Sequence, residues 1–228
     1  MEAFENDVSI RRVVVFDFDG TLADTLPGIT ETAHTVLLAH GFDDEAMGDL
    51  TRLVGPPFPQ AFSMVYDVSA EEAASITADY RLVYQDLGLA GWPLFDGIRE
   101  LLSDLRAAGR LTATASSKNI RLLSRALSDN GVTELFDAIE GKLSDDEDTK
   151  SKAILRALDD LAATADEAVM VGDRCFDVEA AAVLGIPCVG VTYGHTSAPG
   201  ELERAGAVAV AKSVDELEAI LLGRDSAE

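Results

Sequence analysis

The sequence predicts an α/β fold, a doubly wound parallel sheet of Rossmann-like type that carries an inserted all-helical cap subdomain, and three observations lead to it. Short β-branched or apolar runs recur at residues 13–16, 111–115, 168–171 and 188–191, and each suits a strand buried on both faces. Amphipathic, helix-like stretches separate them from residue 98 onward, the alternation that builds a parallel sheet. Between Asp24 and Trp92 no strand-like run occurs at all, and the segment reads as helices only.

The first run, Val13-Val14-Val15-Phe16, is bounded by the turn residues Asp19-Gly20 and is expected to be a central strand. Helices are expected at residues 27–39, 44–53, 59–66 and 70–87 in the insertion. In the remainder they are expected at 98–108, 120–130, 151–162 and 177–184, with Gly109, Gly131 and Gly185 in the usual stop position. The chain thus divides into a core of residues 1–23 and 93–228 and a helical cap of residues 24–92. The acidic patch at residues 144–148 reads as a solvated loop.

A chain of 228 residues with 47% hydrophobic content can bury a sizeable core, which excludes disorder as the main state. Eighteen Lys and Arg against 41 Asp and Glu give a net charge of −23, which opposes binding to a nucleic acid polymer or an anionic membrane. An anionic ligand must be drawn by local charge. Two cysteines, Cys175 and Cys188, make no disulfide framework, and a reducing compartment is the simpler home. The N-terminal residues lack the basic start and apolar middle of a secretory signal. The most apolar run, residues 180–191, is interrupted by Gly185 and Pro187 and falls far short of the roughly 20 residues that span a bilayer. A cytoplasmic protein is expected, monomeric or homodimeric, since no coiled-coil heptad points to an assembly.

Asp17-Phe18-Asp19-Gly20-Thr21 follows the first strand, and the twofold period of extended chain turns Asp17 and Asp19 the same way. Open α/β sheets bind ligands just outside the carboxyl ends of their strands. A calcium loop of EF-hand type would need Gly and Glu where this chain has Leu22 and Gly28, while a plain turn stays open. A second acidic pair, Asp173 and Asp177 in Gly172-Asp173-Arg174-Cys175-Phe176-Asp177, follows another buried run and would emerge at the same edge. Helix capping is its plain structural alternative. Four acids converging there would repel one another unless a cation intervened, and Mg²⁺, which prefers oxygen ligands, is the natural one.

Taken in order, these motifs resemble those of the haloacid dehalogenase-like hydrolases, which are mostly Mg²⁺-dependent phosphatases, and the resemblance covers nearly the whole chain. Asp17-Phe18-Asp19-Gly20-Thr21-Leu22 matches the first motif, Ser116 the second, and Asp173 with Asp177 the fourth. Lys152 is taken for the third-motif lysine, with Lys150 as its rival, because of its spacing to the apolar positions Ile154 and Leu155. The helical insertion corresponds to the cap that some members carry. Local stretches at residues 52–57, 80–84, 95–98 and 190–194 look most like the branch of phosphoglycolate phosphatases and 5′-nucleotidases. Asn119 departs from the Pro of many relatives but can cap the following helix.

The resemblance implies that Asp17 attacks phosphorus to form an aspartyl-phosphate and that Asp19 serves as general acid and then base. It implies that Thr21, Ser116, Ser117 and Lys152 hold the substrate phosphate, and that Mg²⁺ is bound by Asp17, the backbone carbonyl of Asp19, Asp173 and Asp177, the last directly or through water. In the cap, Arg52 and Arg81 are the permanent cations and the candidates for reading the leaving group, with surface ion pairing as the plain alternative. The expected substrate is a small phosphorylated metabolite, phosphoglycolate first and a nucleoside monophosphate second. A sugar-phosphate mutase and a non-catalytic regulatory phosphoprotein stay open.

Overall fold

The computed structural model describes residues 7–145 and 148–224. The N-terminal residues read above for a secretory signal, apart from Asp7, and part of the acidic patch at 144–148 lie outside the described residues. Val13, Val14, Val15 and Phe16 are fully buried and form β1 (Val13–Phe16) at the centre of a six-stranded sheet. The twofold period sends Val13 and Val15 to one face and Val14 and Phe16 to the other. The remaining strands are β2 (Leu111–Asn119), β3 (Ala138–Lys142), β4 (Ala168–Gly172), β5 (Cys188–Val191) and β6 (Ala209–Ala211). Their order is β3-β2-β1-β4-β5-β6, with every pair parallel, which is the doubly wound α/β architecture expected. The edge strands β3 and β6 were not legible in advance. Each is short and partly exposed, so neither carries the continuous apolar run that marks a strand buried on both faces.

The cap contains α1 (Leu26–Ala39), α2 (Asp44–Met47), α3 (Gln60–Tyr66) and α4 (Ala70–Asp86), with single 3₁₀ turns at Leu50–Leu53 and Gly88–Gly91. The helix expected over 44–53 breaks at Gly48, whose φ of 55° no ordinary helix residue adopts, and restarts as the 3₁₀ turn. In the core, α5 (Ile98–Ala107), α6 (Ile120–Asp129) and α10 (Val214–Leu222) cover the face of Val14 and Phe16. On the opposite face lie α7 (Lys150–Asp160), α8 (Cys175–Ala182) and α9 (Glu201–Ala205). Asn119 does cap α6, its side chain accepting from the Arg121 N–H at 3.0 Å.

The two strands of chain that connect cap and core run side by side. The Asp24 N–H donates to the Pro93 carbonyl at 2.8 Å and the Phe95 N–H to the Leu22 carbonyl at 3.0 Å, while Ala23 and Leu94 form an antiparallel bridge. On the far side the cap is held against the core by polar contacts. Arg81 gives both terminal nitrogens to Asp145 at 2.8 and 2.7 Å. Gln60 donates to the Asp145 carbonyl at 2.8 Å, and the Lys142 ammonium donates to the Phe58 carbonyl at 2.9 Å. A further contact joins the Arg174 guanidinium to the Val54 carbonyl.

Arg174 is itself held by Glu201, whose carboxylate also accepts the backbone N–H groups of Cys175 and Ala198 at 3.0 and 2.9 Å. Burial works against the ionised carboxylate, but the two N–H groups and the guanidinium outweigh it and hold the Glu201 pKa down at about 2. Since this lies below the ordinary value of 4.5, the contribution to stability is complete above pH 4.5 and is lost as pH falls toward 2. Glu201→Gln is expected to flatten the acid limb of Tm against pH over that window. An acid limb identical in both proteins would place the effect on other carboxylates.

Candidate active site

The strand order reverses between β1 and β4, the place where open α/β sheets bind ligands outside the carboxyl ends of their strands. Phe16 pairs with Val171 there, and the Asp17 N–H donates to the Val171 carbonyl at 2.9 Å. The next residues out are therefore Asp17 on one strand and Gly172-Asp173 on its neighbour, with Asp177 in the first turn of α8. Asp17, Asp173 and Asp177 are buried and each brings a carboxylate oxygen within 4.8 Å of the others. Two glycines permit this approach. A Cβ on Gly172 would lie 2.2 Å from the Asp177 Cγ, and one on Gly20, where φ is 76°, would lie 2.3 Å from the Asp173 Oδ2.

Each carboxylate is oriented by named donors. The Lys150 ammonium lies 2.7 Å from the Asp17 Oδ2 and also donates to the Asp177 Oδ1. Asp177 accepts the Arg174 N–H on its other oxygen at 2.9 Å. Asp173 accepts the Thr21 hydroxyl at 3.1 Å and the Thr196 hydroxyl. Burial, then the charges of Asp177 and Asp17, raise the Asp173 carboxyl well above its usual range. Asp177 is raised by burial and by Asp17, against the pull of Lys150. Burial disfavours the Lys150 ammonium, but the Asp17 and Asp177 carboxylates more than offset it, and its pKa is raised. The Asp17 Oδ1 is buried and has no hydrogen-bond partner among the described residues. An orphaned carboxylate oxygen beside two crowded acids is a donor set that suits a hard divalent cation, and the residues fit Mg²⁺ on that ground.

The site corrects the choice of lysine. Lys150, the rival, holds Asp17, whereas Lys152 is exposed on α7. The buried face of α7 is Ala153, Ile154, Ala157 and Leu158, and Leu155 is 50% exposed. Counting back by three or four residues from that face leads to Lys150, not Lys152. Thr21 is also placed differently from the expectation: its hydroxyl is spent on Asp173. Ser116 is buried, accepts the Lys118 N–H at 3.2 Å, and faces the site together with Ser117. Asp19 accepts the Lys118 ammonium at 2.8 Å.

A cavity of about 70 Å³ lies between cap and core, walled by Asp17, Asp19 and Ser116 on the core side and by Phe58, Tyr80 and Tyr84 on the cap side. Of the two cap cations, Arg81 lines this cavity but is committed to Asp145. Arg52 is not brought to it. Its 3₁₀ turn directs Leu53 inward, 1% exposed, and leaves Arg52 on the outer surface. Two residues that the sequence reading passed over take part. Thr196 binds Asp173, and Lys118 is buried between Asp19 and the cap. For Lys118 a signal existed: it lies two residues beyond Ser116 in extended chain and so on the same side. Thr196 sits in a loop and left no signal.

Residues 14–191 match the family described as haloacid dehalogenase-like hydrolase. The chain is 40% identical over 187 residues to the tyrosine-protein kinase PtkA of Mycobacterium tuberculosis, covering 81% of this chain and 63% of that protein. It thus spans less than two thirds of that relative's length. A 5′-nucleotidase of Pseudomonas aeruginosa is 32% identical (81% and 84% covered), and a phosphoglycolate phosphatase of Rhodospirillum rubrum is 28% identical (87% and 86%). Among solved structures, a predicted phosphatase from Clostridium acetobutylicum superposes with a TM-score of 0.87 at 35% identity, covering 94% of this chain and all of that one.

Removing the partner of Asp17 leaves a buried carboxylate uncompensated, which costs about 3–5 kcal/mol. Lys150→Met is expected to lower hydrolysis of an aryl phosphate by about 100-fold or more, with Lys152→Met within about threefold of the parent. Phosphate-release assays on both variants check this, and the reverse ranking would restore Lys152.

Proposed function

The chain belongs to the haloacid dehalogenase-like hydrolases, and we propose that it is a phosphatase that hydrolyses a small, phosphoglycolate-like monoester through an aspartyl-phosphate on Asp17. The carrying observation is the juxtaposition of Asp17, held by Lys150 on one oxygen and unpartnered on the other among the described residues, with Asp19 at the wall of the cavity between cap and core. Asp17 is the nucleophile, and phosphorylating it replaces one difficult displacement by two easier ones. The Lys150 ammonium and the Ser116 hydroxyl meet the charge on the phosphoryl oxygens. Asp19 gives its proton to the leaving oxygen and later takes one from water.

Mg²⁺ would be held by Asp17, Asp173 and the Asp19 carbonyl, with Asp177 beside them, and when bound it supplies neutralisation of phosphoryl charge. Thr21 and Thr196 keep Asp173 aimed. The cap excludes bulk water from the cavity, and its polar contacts to the core maintain that closure.

The phosphoglycolate phosphatase-named relative supports a small leaving group. A cytoplasmic home fits the two free thiols, and no helix among the described residues is long and apolar enough to cross a membrane.

The test is phosphate release from phosphoglycolate, nucleoside monophosphates, sugar phosphates, phosphotyrosine and an aryl phosphate, with and without Mg²⁺. ATP consumption is followed in parallel because of the kinase-named relative. Metal-dependent release led by phosphoglycolate is expected, with none above background in Asp17→Asn. Nucleoside monophosphates in the lead would make the protein a 5′-nucleotidase. Isomerised sugar phosphate without release would make it a mutase, and a long-lived phosphoryl-Asp17 a regulatory phosphoprotein. A second expectation concerns the metal: Mg²⁺ raises the Tm of the parent by several degrees, on the order of 2–3 kcal/mol of linkage at saturating concentration. Asp173→Asn removes that rise in a thermal-shift titration, and an equal rise in both proteins would move the metal elsewhere.

A further inference from the structure

Lys118 is a cation that the mechanism above does not use. It stands within the irregularity between Ala115 and Asn119 in the pairing of β2 with β3, and its side chain is 6% exposed. Its ammonium donates to the Asp19 Oδ1 at 2.8 Å and to the Tyr84 hydroxyl at 3.3 Å. Three ring faces surround it, with centroids at 4.6 Å for Tyr84, 5.6 Å for Phe18 and 6.0 Å for Trp92. Aromatic faces stabilise a cation without neutralising it. An ammonium carries three donors, and two are used here among the described residues.

The other cations near the cavity are placed differently. Arg81 gives both terminal nitrogens to Asp145, and Lys150, shared between Asp17 and Asp177, is not among the residues that line the cavity. Lys118 therefore presents a buried cation with a spare donor to a cavity whose cap wall, Arg81 apart, is apolar and aromatic. Its position also limits what it can reach. The Lys118 ammonium touches Asp19, and Asp19 stands where the leaving oxygen is protonated, so an anion that meets Lys118 must be attached within a bond or two of that oxygen.

We propose that Lys118 recognises a carboxylate on the leaving group, which makes the substrates phosphate monoesters of short 2-hydroxy acids. The proposal rests on the phosphatase reading and adds the specificity-determining residue and the substrate class. An anion bound by a charged hydrogen-bond donor in a dry site gains about 1.5–3 kcal/mol, or roughly 10- to 100-fold.

The test compares two non-hydrolysable probes of equal length, 3-phosphonopropionate and propylphosphonate, by calorimetric titration in the presence of Mg²⁺. The parent is expected to bind the carboxylate-bearing probe about 10- to 100-fold more tightly. Lys118→Met and Lys118→Gln should abolish that preference, and kcat/KM for phosphoglycolate relative to ethyl phosphate should fall by the same factor. A parent that binds the two probes equally, or binds neither, overturns the proposal without any variant. Retention of the preference in a folded Lys118 variant overturns it as well, and so does an equal loss on both substrates, which would assign Lys118 to holding Asp19 alone. Absence of Mg²⁺-dependent release from every substrate, the aryl phosphate included, would instead remove the phosphatase reading. Activity without carboxylate preference removes only the role of Lys118.

Discussion

Mutual repulsion among the buried carboxylates of Asp17, Asp173 and Asp177 is the constraint around which the rest of this site is arranged. Three acids within 4.8 Å of one another in a dry setting are tolerated only where donors and cations answer them. Lys150 answers two of them, Thr21 and Thr196 the third, and Arg174, the residue just before α8, contributes its N–H to Asp177. Gly172 and Gly20 are the backbone consequence, since a Cβ at either position would collide with one of these carboxylates. The orphaned Asp17 oxygen is what the protein's own groups leave unsatisfied, and it is where a divalent cation fits.

The cap extends the same electrostatic logic outward. An aromatic sequence, Phe62 to Phe58 to Tyr80 to Tyr84 to Trp92, runs from the cap interior to the hinge with successive ring centroids 4.7 to 5.3 Å apart, and Lys118 is set against its end. The opposite rim is closed by Arg81 on Asp145 and by Lys142 on the Phe58 carbonyl. One side of the cavity is therefore apolar and aromatic, and the other is a set of polar contacts between cap and core.

Much of this was legible along the chain because the signals were local. A strand buried on both faces must be apolar at every position, so β1, β4 and β5 announced themselves, and with them the acids that follow at their carboxyl ends. The motif lysine was misjudged because helical phase was judged from Ile154 together with Leu155, which the fold leaves exposed, rather than from the buried face of Ala153, Ile154 and Ala157. Arg52 and Arg81 were selected as lone cations of an acidic segment, yet composition carries no information on direction. The 3₁₀ turn faces Arg52 outward, and Asp145, 64 residues further on, claims Arg81.

By itself the sequence determined the doubly wound core, the place of the helical insertion and the acids at the carboxyl edge of the sheet, because period, burial and turn chemistry act over a few residues. Only the tertiary structure decided which lysine reaches Asp17, that Thr21 and Thr196 serve Asp173, that Lys118 lies caged against Asp19, and which residues wall the cavity between cap and core. Apart from Thr196 and Asp173, 23 residues apart, those outcomes depend on pairs separated by about a hundred residues or more in the chain. Their distances are set by how sheet, helices and cap pack together, a property that no single segment carries.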